Sequence, residues 1–229
     1  MSATRLKIHL ISPGVNPSQN PALSLTDEEF ARARRFHFPK DAAAWIRCRA
    51  VLREILARDL GIPARNIPLI YSEFGKPLLA PPYDFLHFNL SHCPELALLA
   101  TSHCGPLGID LEPLTRAADL LGCENSFCHP AEISSLATAK ITRSHELLRI
   151  WTAKEALLKA LGTGLSFPPE KLRIIFKNPE IEALPDLPLQ GVQSQRLTSI
   201  SHPELKNFSS FLSFESLDCN YQIDFIEMI

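Results

Sequence analysis

The chain has 229 residues, 45% hydrophobic and 21% charged, an ordinary globular composition long enough for one large domain or two small ones. A formal net charge of −2 excludes a global basic field that would draw it to nucleic acid or acidic membranes. No apolar run approaches the roughly 20 residues of a membrane span. The opening MSATRLKIHLI has too short an apolar core for a signal peptide, so a cytoplasmic location is expected.

In chain order, Leu6 to Ile11 reads as a strand, followed by a Pro/Asn/Ser loop. Thr26 with Glu29 forms a capping-box signature that opens a short helix to about Phe36. Pro39 then starts a long helix that runs to Leu60 and stops at Gly61. Ile67 to Ser72 is strand-like, and Leu86 to Leu90, Leu96 to Thr101 and Leu107 to Glu112 are three further strands with short turns. Helical segments cover about 117–121, 131–138 and 145–161. Strands follow at Lys171 to Phe176, near Leu197 to Ser201, at Phe208 to Phe214 and at Tyr221 to Ile226, and the Pro-rich stretch 179–189 reads as a loop. Helices followed by runs of antiparallel strands, twice over, define an α+β pattern, with a boundary near SHCGP that divides the chain into 1–105 and 106–229. The six cysteines, at 48, 93, 104, 123, 128 and 219, form no C-x-x-C pair and read as reduced thiols. The adjacent His/Cys pairs do not follow zinc-ligand spacing.

Four segments could carry chemistry. In LGIDLEP, 107–113, Asp110 and Glu112 alternate with Ile109 and Leu111, so two carboxylates leave one face of a half-buried strand. Neighbouring acids raise each other's pKa unless a cation neutralises them, and magnesium does so with a few carboxylates. A solvent-facing edge with two ordinary surface acids is the plainer alternative. In WTAKEALLKALGTGL, 151–165, Ala153, Ala156, Leu157, Ala160 and Leu161 make a core face, while Trp151, Glu155, Lys159 and Gly162 make a second stripe roughly opposite. Glu155 and Lys159 are either a surface i,i+4 pair or, if the stripe faces Asp110 and Glu112, a third carboxylate and a phosphate-facing cation. In GKPLL, 75–79, Gly75 allows a tight turn, Pro77 stiffens it and Lys76 is held on a defined loop. Ser91 and His92 end the strand of HFNLSH, and lysine, serine and histidine all donate to phosphates. Finally, Arg32, Arg34, Arg35, Lys40, Arg47, Arg49 and Arg53 crowd the first two helices, with Arg49 and Arg53 on one face, as a phosphate clamp or a solvated face. Phosphate-loop, dinucleotide, metalloprotease and serine-hydrolase signatures are missing.

GKP, then FNLSH, then GIDLEP, then WTAKEALLKALGTGL, in this order over residues 75–164, resembles the phosphopantetheinyl transferases of the large surfactin-synthetase-associated type. The N-terminal RRFHFPKD and the helix around Arg49 look like that family's CoA-binding lead-in. The resemblance implies two similar α/β halves related by a pseudo-twofold, with the active site in the cleft between them. It implies magnesium-dependent transfer of the phosphopantetheine arm of coenzyme A to a serine of an acyl or peptidyl carrier protein, with release of adenosine 3′,5′-bisphosphate. On the matching positions Asp110, Glu112 and Glu155 are expected to be metal ligands, and Glu155 and Lys159 catalytic. Lys40, Arg49, Gly75, Lys76, Ser91, His92 and Lys159 are expected around CoA. A monomer is expected, since one chain supplies both sides of the cleft. One departure is that Glu28 and Glu29 stand in the first short helix where some relatives carry lysines. A non-catalytic CoA- or nucleotide-binding protein on the same scaffold, or a magnesium-dependent phosphohydrolase, are the competing readings.

Overall fold

Period-two alternation builds the framework of one compact unit, formed by residues 1–13, 71–78 and 85–228. The computed structural model describes residues 4–12, 17, 20–177, 180–215 and 221–228. Strands β1 (Thr4–Ile11), β4 (His87–His92), β5 (Ala97–Ser102) and β11 (Tyr221–Met228) form one sheet in the order β11-β1-β5-β4. β6 (Leu107–Pro113), β10 (Phe208–Glu215) and β9 (Gln195–Ser199) form a second, antiparallel sheet in the order β6-β10-β9. The inward residues of both sheets meet in one core: Leu6, Ile8 and Leu10 of β1, Leu98 and Ala100 of β5, Ile109 and Leu111 of β6, and Leu212 and Phe214 of β10.

The other face of β6 takes the long helix α5 (Lys140–Leu161), which packs Ala153, Ala156, Leu157 and Leu158 against Phe211 of β10 and Leu197 of β9. The contact between β6 and α5 is backbone on backbone. A Cβ placed on Gly108 would lie 2.2 Å from the carbonyl oxygen of Ala156 and 2.3 Å from the nitrogen of Ala160. Glycine on the strand and alanine on the helix are what this spacing demands. Gly162 then closes the helix in the left-handed region at φ 77°, as its position after the last apolar residue predicts.

The second unit comprises residues 14–70 and 79–84. In it lie α1 (Pro21–Ser24), α2 (Asp27–Ala33) and α3 (Pro39–Leu60). The capping box of α2 is present: Thr26 N donates to Glu29 Oε2 at 3.0 Å and Glu29 N to Thr26 Oγ1 at 3.3 Å. The hairpin strands β2 (Leu69–Tyr71) and β3 (Pro77–Leu79) carry the chain across the boundary between the units.

The α+β class read from the sequence holds, and most strands fall where alternation puts them. Three details differ. The Pro-rich tract contains a strand, β8 (Ile181–Pro185), paired antiparallel with β7 (Leu172–Phe176). Its proline ends a strand at a sheet edge, where a missing N–H is tolerated. The segment 131–138 shrinks to α4 (Pro130–Ser135), the 117–121 helix is a 3₁₀ segment at Leu114–Leu120, and α5 begins five residues before its expected start. Lastly, β11 pairs parallel with β1, a long-range pairing that no local pattern announces.

Gly108→Ala should destabilise the protein by about 1–3 kcal/mol or more, because a methyl group has no room between two backbones. A urea-unfolding midpoint equal to that of the parent would contradict the packing described.

Candidate active site

Gly108, Asp110 and Glu112 leave β6 on the side that faces α5, and Glu155 and Lys159 flank the alanine positions at which that helix meets Gly108. The outcome is a pocket of about 360 Å³ lined by Ser91, His92, Asp110, Glu112, Trp151, Glu155, Lys159 and Leu165, among others. The second stripe of the helix therefore faces this pocket. Trp151 forms part of its wall and packs edge-on against Phe127 at a ring separation of 5.4 Å.

Asp110 is buried. Its Oδ1 accepts from Lys159 Nζ at 2.6 Å and from Ser91 Oγ at 3.0 Å, while its Oδ2 is buried with no hydrogen-bond partner. Glu112 pairs with Arg116 at 2.7 Å. Burial, and then the nearby Asp110 charge, push the Glu112 carboxyl above the ordinary carboxylate range. Glu155 is pushed up as well, first by burial and further by Asp110 and Glu112, against the pull of Lys159. The three acids thus repel one another across one pocket. As they stand, no three His, Cys, Asp or Glu groups among the described residues are gathered closely enough to hold a metal. The donor chemistry nevertheless fits a hard divalent cation: three carboxylates, two of them raised by burial and mutual charge, and one buried carboxylate oxygen with nothing to bond.

Other residues turn inward. Ser91 is buried, and besides donating to Asp110 its Oγ accepts from Leu111 N at 3.2 Å. Two residues earlier Asn89 Oδ1 accepts from Ile109 N at 2.9 Å, so the two sheets are joined between β4 and β6 by side chains. Ser91 thus positions Asp110, and only the exposed His92 offers a free edge from this strand. Gly75, at φ 79°, makes the turn in which Ser72 N bonds Lys76 O at 2.9 Å. The Lys76 ammonium donates to the carbonyls of Leu107 and Ala160 at 3.0 and 3.1 Å, tying β6 to the end of α5, and burial pushes it down to about 8.

Within the second unit Lys40 is exposed at the start of α3, 5.9 Å from the Phe38 ring centre. Arg49 is buried against Glu29, whose other carboxylate oxygen takes Arg53 Nε at 2.7 Å. The shared face of Arg49 and Arg53 grips an acid of the neighbouring helix. That grip gives a structural reason for an acid at position 29 of the short helix.

Two further residues went unassigned in the sequence. Lys154 is fully buried in α5, and its ammonium donates to Glu132 Oε2 at 2.7 Å, Phe127 O at 2.7 Å and Pro169 O at 2.9 Å. Glu132 also accepts from His129 N and Ile174 N, both at 2.7 Å or less. The signal was present: Lys154 lies on the helix face of Leu147, Ile150 and Leu158, where a solvated lysine has no place.

A β-strand acid pair facing a helix acid and lysine, in an α+β frame, makes a site whose donors suit a hard divalent cation. Comparison with known proteins supplies the family. Residues 106–211 match the model of the 4′-phosphopantetheinyl transferase superfamily, and residues 17–104 match that of the 4′-phosphopantetheinyl transferase N-terminal region. The chain belongs to the 4′-phosphopantetheinyl transferase superfamily. It is 37% identical over 151 residues to the 4′-phosphopantetheinyl transferase HetI of Nostoc sp., covering 65% of this chain and 64% of that protein. It is 32% identical over 148 residues to a putative 4′-phosphopantetheinyl transferase of Synechocystis sp., covering 62% and 58%. The chain thus spans less than two thirds of the length of these relatives. The holo-ACP-synthase of Plasmodium yoelii is a looser likeness, with 16% identity and a TM-score of 0.38 over 47% of this chain and 91% of that one.

Two outcomes check the packing around the pocket. Lys154→Ala should cost about 3–5 kcal/mol in urea unfolding, since it leaves the buried Glu132 charge unpaired. Lys76 titrates at about 8 when folded against an ordinary 10.5, so the unfolded chain binds more protons between these values. Its burial penalty is present in full below pH 8 and fades as pH rises towards 10.5. The stability of the parent relative to Lys76→Met should therefore improve from pH 7.5 to 10, and a flat difference across that range would contradict the burial of a charged amine.

Proposed function

We propose that the protein transfers the 4′-phosphopantetheine arm of coenzyme A to a serine of an acyl or peptidyl carrier protein. The observation that carries this reading is the single pocket shared by Asp110, Glu112, Glu155 and Lys159, in a chain of this superfamily. Asp110, Glu112 and Glu155 would hold Mg²⁺. That ion, when bound, supplies positive charge to the pyrophosphate of CoA, where catalysis is largely positioning and electrostatic stabilisation. His92 and Lys159 face the pocket and would contact the CoA phosphates. Glu155, on the wall of the pocket, takes the proton from the serine hydroxyl. The serine oxygen forms a bond to the phosphorus that carries the pantetheine arm. The pyrophosphate bond breaks, and adenosine 3′,5′-bisphosphate leaves with the electron pair. Lys159 matters most as charge redistributes over that phosphate.

The two family models meet near residue 105, in accord with halves 1–105 and 106–229, and a site between two pseudo-twofold halves would take Ser91 and His92 from the first and Asp110, Glu112, Glu155 and Lys159 from the second. The surface basic residues Lys40 and Arg35 suit the ribose 3′-phosphate, with Arg49 serving the fold of that region. A cytoplasmic location and a monomeric state are part of this reading; no described helix is long and apolar enough to cross a membrane.

Incubation with CoA, Mg²⁺ and an apo-carrier protein should yield holo-carrier by mass spectrometry together with adenosine 3′,5′-bisphosphate. Carrier-independent release would instead support a phosphohydrolase, and no release a CoA-binding module. Asp110→Ala should sharply reduce turnover at ordinary magnesium. Lys159→Ala should lose stability, because the buried Asp110 carboxylate loses its ammonium partner, and the folded variant should transfer the arm at least about tenfold more slowly at saturating substrates.

A further inference from the structure

Three lysines about the C-terminal half of α5 are held in different ways. Lys154 has three acceptors at 2.7–2.9 Å, and Lys76 has two main-chain carbonyls at 3.0 and 3.1 Å. Lys159 has one strong contact, Asp110 Oδ1 at 2.6 Å, and one long contact, Ile109 O at 3.4 Å. Its side chain keeps 26% exposure while that of Asp110 keeps 5%. A lysine is a point charge on a flexible stem, so it neutralises one carboxylate oxygen and leaves the other. Asp110 Oδ2 is indeed buried and unbonded, which is costly to maintain. Glu112 is drawn towards Arg116 in the same manner, at 2.7 Å.

We infer that Lys159 is a stand-in for the metal. In the free protein its ammonium neutralises Asp110. When a divalent cation takes that carboxylate, Lys159 is released into the pocket, where a phosphate of CoA becomes its new counter-ion. The inference rests on the reading of Asp110, Glu112 and Glu155 as metal ligands. Two cations compete for one buried carboxylate, and an anion then accepts the displaced one. Metal and CoA therefore bind with positive coupling, and linkage requires each to tighten the other by the same factor.

Mn²⁺ serves as the probe, with its free concentration followed by electron paramagnetic resonance and no turnover involved. Lys159→Gln, which keeps a polar side chain and removes the competing charge, should bind Mn²⁺ without CoA about tenfold more tightly than the parent, within the common coupling range of about 5- to 150-fold. CoA should tighten Mn²⁺ binding in the parent and do so much less in the variant. Direct evidence comes from amine labelling of the parent, mapped by mass spectrometry. Mn²⁺ alone should speed labelling of Lys159 several-fold, Mn²⁺ with CoA should suppress it, and Lys154 should stay unlabelled throughout. Unchanged labelling of Lys159 at saturating Mn²⁺, or a variant affinity no tighter than that of the parent, overturns the hand-over. If Mn²⁺ still binds the parent and is lost in Asp110→Asn, the metal-site reading survives that failure. No Mn²⁺ binding by the parent overturns both.

Discussion

The site depends on the meeting of two backbones, β6 and α5, at Gly108, where a Cβ has no room. From that contact the chemistry follows by simple periodicity. Two and four residues along the strand on the same face come Asp110 and Glu112. Flanking Ala156 and Ala160 on the helix come Glu155 and Lys159, turned towards the pocket. A larger residue at 108 would move both strand acids away from Glu155 and Lys159 at once. The buried Lys154–Glu132 pair fixes the remaining freedom of the helix, its roll about its own axis. Three ammonium protons meeting acceptors from three segments favour one orientation of the helix.

The electrostatics of the pocket are those of an acid cluster screened by the protein's own cations. Burial raises Glu112 and Glu155, and proximity raises them further. Arg116 and Lys159 offset part of that cost. Such a cluster favours any arrangement that brings in additional positive charge, and it does so most strongly where solvent is thinnest, at Asp110.

How much of this was legible in the sequence depended on whether the information was local. The alternation of Ile109 and Leu111 with Asp110 and Glu112, and the two faces of α5, were visible because a strand and a helix each impose a period that needs no knowledge of the partner. Which polar atoms turn inward was not visible. Ser91 and Lys76 read as phosphate donors from residue type, yet both bond main-chain groups of β6 and α5. Arg49 and Arg53 were correctly placed on one face, but their partner Glu29 lies on another helix 20 and 24 residues away. The β11–β1 pairing joins the two ends of the chain and has no local signature. Lys154 was the one legible residue passed over, a charge set among leucines at helical spacing.

The seam between the two sheets has its own consequence. In a strand ladder each rung is braced by the next, so opening proceeds from an end. Between β4 and β6 the rungs at Asn89 and Ser91 are side chains. Each can break by rotation about its own χ1, without unpairing either strand from its proper neighbour. The seam is thus a line held by two side-chain rotors and by the apolar core that the sheets share. Because Ser91 also holds Asp110, movement along that line would register first as a change in the direction of one carboxylate.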